Sequence, residues 1–146
     1  MSAGLAELAP ALYRNTSIKV LDISNNLLTD MKSAKILRHI LRSNKTMTAL
    51  DLHGNPFAQT AGAVECIADG LGSNSTLLKI TFSSCELRDD HVSIMAQTLG
   101  SRKTTLQKLT LCMNYITSTG VGVRLETVEQ YSLQITDLNL QRDPFG

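Results

Sequence analysis

The chain has 146 residues, 42% of them apolar and 18% charged, and 14 Lys and Arg against 13 Asp and Glu leave a formal charge of +1. That is one domain's worth of chain; its composition fits neither a disordered tail nor a polybasic arm, and it lacks the clustered cations that drive nonspecific nucleic-acid binding. Three Tyr, three Phe and no Trp supply a base-stacking platform poorly, so no nucleic-acid partner is expected.

Leu5, Leu8 and Leu12 recur at spacings of three and four and open the chain with a helix. Glu7 interrupts that stretch and no Lys or Arg precedes it, so it is no signal peptide and secretion is not expected. A motif follows at 18–28, with Ile18, Leu21, Ile23, Asn26 and Leu28 at its positions 1, 4, 6, 9 and 11. Thr29 and Asp30 supply N-cap chemistry to a second helix, carried by Ile36, Leu37, Ile40 and Leu41. The motif returns at 47–57 as Met47, Leu50, Leu52, Asn55 and Phe57, and a third helix carries Val64, Ile67, Ala68 and Leu71. At 77–87 it reads Leu77, Ile80, Phe82, Cys85 and Leu87, with Asp89 and Asp90 placed to cap a fourth helix. At 106–116 it reads Leu106, Leu109, Leu111, Asn114 and Ile116. The last helix is degenerate, with Glu129 where the others have Leu, and the fifth motif at 135–145 reads Ile135, Leu138, Leu140, Asp143 and Phe145.

The ninth positions of the five motifs are separated by 29, 30, 29 and 29 residues, a regularity that scattered leucines do not produce. Positions 4 and 6 point to one face of a short strand while 3 and 5 point to the other, so one face is core and the other solvent. No strand-helix unit can bury its apolar side alone, so the units must stack into a solenoid. A position-9 Asn can donate and accept, which lets Asn26, Asn55, Cys85, Asn114 and Asp143 tie successive turns into a ladder. Asp143 cannot donate when ionised, so the ladder is expected to weaken there.

The pattern L-x-x-L-x-L-x-x-N/C-x-L resembles the leucine-rich repeat, and the 29-residue period resembles its ribonuclease-inhibitor-type subclass, found in ribonuclease inhibitors and NOD-like receptors. The resemblance covers nearly all of residues 1–146 as a single domain. It implies an α/β fold: a right-handed solenoid, a horseshoe segment of about five repeats of 29–30 residues, with a concave parallel β-sheet and convex α-helices. The chain opens inside a helix and stops just past the fifth motif, without a dedicated polar cap. The expectation is therefore part of a longer protein, or an end that packs on another chain, including self-association through uncapped terminal repeats.

Cys66, Cys85 and Cys112 are odd in number and lack C-x-x-C spacing, against both a disulfide framework and a zinc site. Reduced thiols in the cytoplasm, or in the nucleus, are the expectation. No window approaches the roughly 18 apolar residues that cross a bilayer, so no membrane role is expected. Three N-x-S/T sequons begin at Asn15, Asn44 and Asn74, each three residues before a motif. That register reads as a helix-to-strand turn, where Asn tolerates the left-handed conformation that such a turn often takes, and not as glycan acceptors. The fourth connection, 101–105, lacks this Asn and should turn differently.

Lys32, Lys35, His39 and Arg42 fall along one side of the second helix. A basic stripe can dock an acidic partner, but aligning Leu41 with Leu71 puts Lys35 beside Glu65 and His39 beside Asp69 of the next helix, so this stripe reads first as a solvated or paired face. His39, His53 and His91 fall too irregularly for a metal cluster. No P-loop, H-E-x-x-H or G-x-S-x-G is present, and Gly120-Val-Gly122 lacks the rest of a dinucleotide fingerprint. No catalytic residue, metal or cofactor is expected.

The solvent face reads as columns. Position 3 gives Val20, Ala49, Lys79, Lys108 and Asp137; position 5 gives Asp22, Asp51, Thr81, Thr110 and Asn139. Positions 7 and 8 add His53, Met113 and Arg142, with Tyr115 close by. Asp22/Asp51 and Lys79/Lys108 are like-charged neighbours, which repel unless something opposite covers them. Asp22 and Asp51, about 5 Å apart on adjacent strands, are close enough for acid-base work but lie on an open face. The expected function is a non-enzymatic scaffold binding a protein or peptide through this concave face, with Met113 and Tyr115 as apolar anchors. The resemblance also admits a GTPase-activating regulator similar to Ran GTPase activators, although their acidic tail is absent, a ligand-sensing segment of a NOD-like receptor, or a relative of the actin-capping tropomodulin repeats.

Overall fold

A computed structural model describes residues 2–100, 104–120, 122, 137–141 and 143. The chain alternates helix and strand: α1 (Ser2–Arg14), β1 (Val20–Asp22), α2 (Met31–Ser43), β2 (Ala49–Asp51), a 3-10 turn (Phe57–Gln59), α3 (Ala63–Gly72), β3 (Lys79–Thr81), α4 (Asp89–Gly100), β4 (Lys108–Thr110) and β5 (Asp137–Asn139). The five strands form one parallel sheet in the order β1-β2-β3-β4-β5. Each strand pairs with the next at the same motif position, so that Leu21, Leu50, Ile80, Leu109 and Leu138 stand in one row. This is the solenoid that the repeat demands, a parallel sheet on one side and helices on the other.

The core is a set of apolar columns running through the stack. Position 6 contributes Ile23, Leu52, Phe82 and Leu111, position 11 contributes Leu28, Phe57, Leu87 and Ile116, and all eight are buried. Leu37, Ile40 and Leu41 of α2 and Val64, Ile67, Ala68 and Leu71 of α3 close the columns from the helical side. In α1 the buried set is Leu5, Ala9 and Leu12, while Leu8 is 55% exposed. Leu8 shares their helical spacing, but it lies off the flank of α1 that packs on α2, that helix's main contact among the described elements.

Two side-chain ladders hold the turns. At one end of the strands, Asn55 Oδ1 accepts the N–H groups of Asn26 (3.1 Å) and Leu28 (3.0 Å), while its Nδ2 donates to Ile23 O and Leu52 O, both at 3.0 Å. Asn114 repeats this with Cys85 N, Leu87 N, Phe82 O and Leu111 O. Asn26 donates to Ile23 O and Ser24 O. Cys85 supplies a donor, its thiol lying 3.3 Å from Leu52 O, and Asp143 supplies an acceptor for Asn114 N at 2.7 Å.

The second ladder is Asn15, Asn44 and Asn74, and here the structure corrects the expected mechanism. Asn44 is extended (φ −73°, ψ 129°), not left-handed. Its side chain does the work: Nδ2 donates to Leu12 O and Asn15 O of the preceding repeat, and Oδ1 accepts Thr46 N and Met47 N. Asn74 does the same with Leu41 O, Asn44 O, Thr76 N and Leu77 N. Threonines replace Asn before β4, where Thr104 Oγ1 accepts Leu106 N and Thr105 Oγ1 donates to Leu77 O. Left-handed residues recur instead at motif position 8, where Asn25, Gly54, Ser84 and Met113 all have φ between 53° and 67°, and two more, Leu27 and Glu86, stand at position 10. The backbone must reverse there to leave the sheet, and only one of the four is the glycine that such a φ favours.

Capping and helix pairing also differ in part. Asp30 caps α2, accepting Ser33 N at 2.7 Å. Asp89 does not cap α4; its carboxylate crosses to the next repeat and accepts Thr117 N at 2.8 Å and the Thr117 hydroxyl. Asp69 pairs with Arg38 and Arg42, not with His39. Arg38 lies on the flank of α2 that touches α3, and His39, turned about 100° from it, stacks edge-on against Tyr13 of α1 with ring centroids 4.2 Å apart. Lys35 makes no ion pair with Glu65 among the described residues and remains exposed, as does Lys32. Glu129 lies outside the described residues. No described helix is long and apolar enough to cross a membrane.

Candidate functional site

Strand pleating sends positions 3 and 5 away from the core, and the register stacks them into two rows, in which Val20, Asp22 and Lys79 are exposed and Ala49, Asp51, Thr81, Lys108, Thr110 and Asn139 half-buried. Val20, Ala49, Lys79, Lys108 and Asp137 are successive partners in one; Asp22, Asp51, Thr81, Thr110 and Asn139 in the other. Val20 is 67% exposed. A shallow depression of about 200 Å³ lies over the strands, bordered by Val20, Asp51, Lys79, Thr81, Lys108 and Thr110. The two like-charged pairs expected from the sequence are therefore real neighbours: Asp22 opposite Asp51, and Lys79 opposite Lys108.

The acidic residues carry a second duty that sequence reasoning missed. Asp22 Oδ1 accepts Ser24 N and Asp51 Oδ1 accepts His53 N, each at 2.9 Å, and Asn139 Oδ1 accepts Gln141 N at 3.1 Å. These are Asx turns that bend the chain out of the strand; the signal was Asp or Asn recurring at position 5. The Ser24 backbone N–H holds the Asp22 carboxyl below its ordinary value, helped by the Ser24 hydroxyl and nearby His53 and opposed by partial desolvation. In Asp22 and Asp51 the turn engages one carboxylate oxygen, and in Asn139 the amide oxygen.

His53 sits half-buried just beyond Asp51. Met113 and Tyr115 are 41% and 56% exposed at the rim. Beside them is a second depression of about 410 Å³, lined by Arg88, Asp89, Asp90, Tyr115 and Thr117, in which the Arg88 guanidinium lies 5.9 Å from the Tyr115 ring centre. The sequence reading overlooked Arg88, which follows position 11 and has no counterpart in the other motifs. Arg142 and the side chain of Asp137 lie outside the described residues. The histidines stay apart: His39 on Tyr13, His53 after β2, and His91 accepting Arg88 N. Among the described residues no three metal-ligating side chains converge.

The chain is 29% identical over 139 residues to leucine-rich repeat-containing protein 73 of Rattus norvegicus and of Homo sapiens, an alignment covering 93% of this chain. In structure it superposes on the tropomodulin C-terminal domain of Caenorhabditis elegans with a TM-score of 0.72 at 11% identity, covering 93% of this chain and 81% of that one. This chain is a leucine-rich-repeat solenoid. The leucine-rich-repeat fold is also shared with leiomodin-1 actin-binding site 2, at a TM-score of 0.59 and 13% identity over 98% of this chain and 63% of that one. The solenoid spans 43% of the length of the curated relatives it matches. No family profile matches it.

Proposed function

We infer that this leucine-rich-repeat chain is a non-enzymatic interaction scaffold that takes a protein or peptide partner on its concave face. The observation that carries this reading is the pair of rows on the sheet's open face, held in register across five strands, with charge segregated along them and only a shallow depression beneath. An open, rigid, charge-patterned surface suits a macromolecular partner better than a small substrate, which needs an enclosing pocket. The three free thiols and the buried amides of Asn44 and Asn74 support a reducing cytoplasmic or nuclear setting. The 29-residue period supports a ribonuclease-inhibitor-type repeat.

Actin is the first partner to test, because leiomodin-1 actin-binding site 2 shares the fold. Binding is measured at low salt for the wild type and for Lys79→Glu combined with Lys108→Glu. A bound partner whose affinity drops at least tenfold supports the concave face; unchanged affinity for every partner that binds overturns it. A GTPase-turnover assay separates this reading from the Ran-activator alternative, since a scaffold leaves the rate unchanged.

A further inference from the structure

Each later repeat receives its predecessor through the same backbone groups. The N–H groups at motif positions 2 and 3 share one carbonyl of the preceding repeat: Thr48 and Ala49 donate to Lys19 O at 2.8 and 3.0 Å, Leu78 and Lys79 to Thr48 O at 2.9 and 3.0 Å, and Gln107 and Lys108 to Leu78 O, both at 2.9 Å. The carbonyl at position 5 accepts an N–H in return, Asp51 from Ile23 at 3.1 Å and Thr81 from Leu52 at 3.0 Å, and the carbonyl at position 7 another, His53 from Asn25 at 2.7 Å. In the first repeat the corresponding groups are Lys19 N, Val20 N, Asp22 O and Ser24 O. β1 is an outer strand that pairs with β2 through Leu21, so among the described residues no backbone group meets these four.

The apolar layer is open at the same place. Leu8 of α1 stands where α2 has Leu37 and α3 has Ile67; those two are 0% exposed and Leu8 is 55%. Leu21 is half-buried where Leu50, Ile80 and Leu109 are buried. Element order is the cause: α2, α3 and α4 each follow a strand, and among the described residues none precedes α1. Since α1 already fills the helical layer, the opening before it is one strand wide.

That shape selects the occupant. A further strand-helix unit would drive its helix into α1, whereas a lone extended segment fits and meets the four backbone groups in the parallel direction used by every strand pair here. Its side chains follow from the pleat. Two residues, one on each side of a third, turn inward and must be apolar to cover Leu8 and Leu21. The third falls beside Asp22, which has Asp51 on its other side, so a basic residue there meets opposite charge and not like.

We propose that the outer edge of β1 is a second docking surface, taking an extended segment of a partner protein as a parallel strand, with two apolar residues turned onto Leu8 and Leu21 and a Lys or Arg between them beside Asp22. It lies on the rim of the sheet, apart from the concave face, so either surface can fail without the other.

The probe is a displayed library of peptides of about 10 residues, enough for one strand and its flanks, selected on the intact chain. Affinities of the selected peptides are measured by fluorescence anisotropy for the wild type and four variants. Val20→Pro removes an outward N–H and keeps the ladder to β2; Leu8→Lys leaves the backbone alone and serves equally if Val20→Pro does not fold. Asp22→Asn keeps an oxygen for the Ser24 turn, and Lys79→Glu alters the concave face only. The expected result is a selected pattern of two apolar residues flanking Lys or Arg, with binding weakened at least tenfold by Val20→Pro and by Leu8→Lys and unchanged by Lys79→Glu. Asp22→Asn should weaken only the peptides that carry the basic residue. Hydrogen exchange should find the Val20 and Asp22 amides open in the free chain and protected in the complex. Amides already protected in the free chain, or binders indifferent to both Val20→Pro and Leu8→Lys, overturn the proposal. A library without binders overturns it too, and a concentration-dependent mass abolished by Val20→Pro would then assign the edge to a second copy.

Discussion

Asn55 shows how one side chain can hold two repeats together. Its amide satisfies backbone groups of its own repeat and of the preceding one, three of these four bonds buried and the one from Asn26 N part-buried. Removing it strands several buried donors and acceptors, each worth about 1 kcal/mol or more. Asn55→Ala should therefore lower stability by about 3 kcal/mol, whereas Asn26→Ala, at an exposed end where water can substitute, should lower it by less than about 1 kcal/mol; urea denaturation of the two variants checks the ranking. Cys85 fills the same ladder with half the capacity. Burial pushes its thiol up to about 12, so it stays protonated near neutral pH and remains a donor to Leu52 O and Ser83 O. Asp143 keeps the complementary half and accepts Asn114 N.

Elements meet through contacts that a single repeat cannot reveal. Gly70 brings α3 against the backbone of α2: a Cβ there would stand 2.7 Å from Arg38 Cα. Backbone cannot yield as a side chain end can, so Gly70→Ala should separate the helices, strain the Arg38–Asp69 pair and lower stability by about 1–3 kcal/mol in denaturant melts. Asp89 ties α4 to the following repeat, and Gly120 leaves room for its carboxylate. Hydrogen bonds from the Thr117 hydroxyl and N–H hold the Asp89 carboxyl below its ordinary value. A carboxyl lowered in the fold contributes stability above its unfolded value, near pH 4, and loses it as pH falls through the lowered one. The stability difference between wild type and Asp89→Ala should be present at neutral pH and close as the pH approaches about 2, measured by urea denaturation across that range.

The molecule as a whole is a one-dimensional stack, so its weak points are its ends. β1 is an outer strand of the sheet, and Leu8 and Val20 are exposed on the same first repeat. An open strand edge beside exposed apolar side chains favours pairing with another chain. Light scattering after size exclusion should show a mass rising with concentration above the 15.9 kDa of one chain, and Leu8→Lys should return it to that value. A constant mass of one chain would show that the first repeat closes itself.

Period, phase and polarity were legible in the residues themselves. Position 4 and 6 side chains had to be core because a strand alternates faces, and the 29- to 30-residue spacing had to give an in-register sheet because each repeat takes the same path. The charged pairs on the concave face followed directly, since register turns a sequence spacing into a neighbour. Contacts between helices did not follow. Asp69 found Arg38 and Arg42 instead of His39, because partner choice depends on how far each helix is rotated about its axis, and the leucine pattern sets that only to within a side chain's width. The left-handed turns at position 8 and the Asx turns at position 5 were likewise decided in three dimensions. Asn25 has the propensity for such a turn, but Ser84 and Met113 do not, so the repeated path of the stacked backbone and not residue type sets the conformation there.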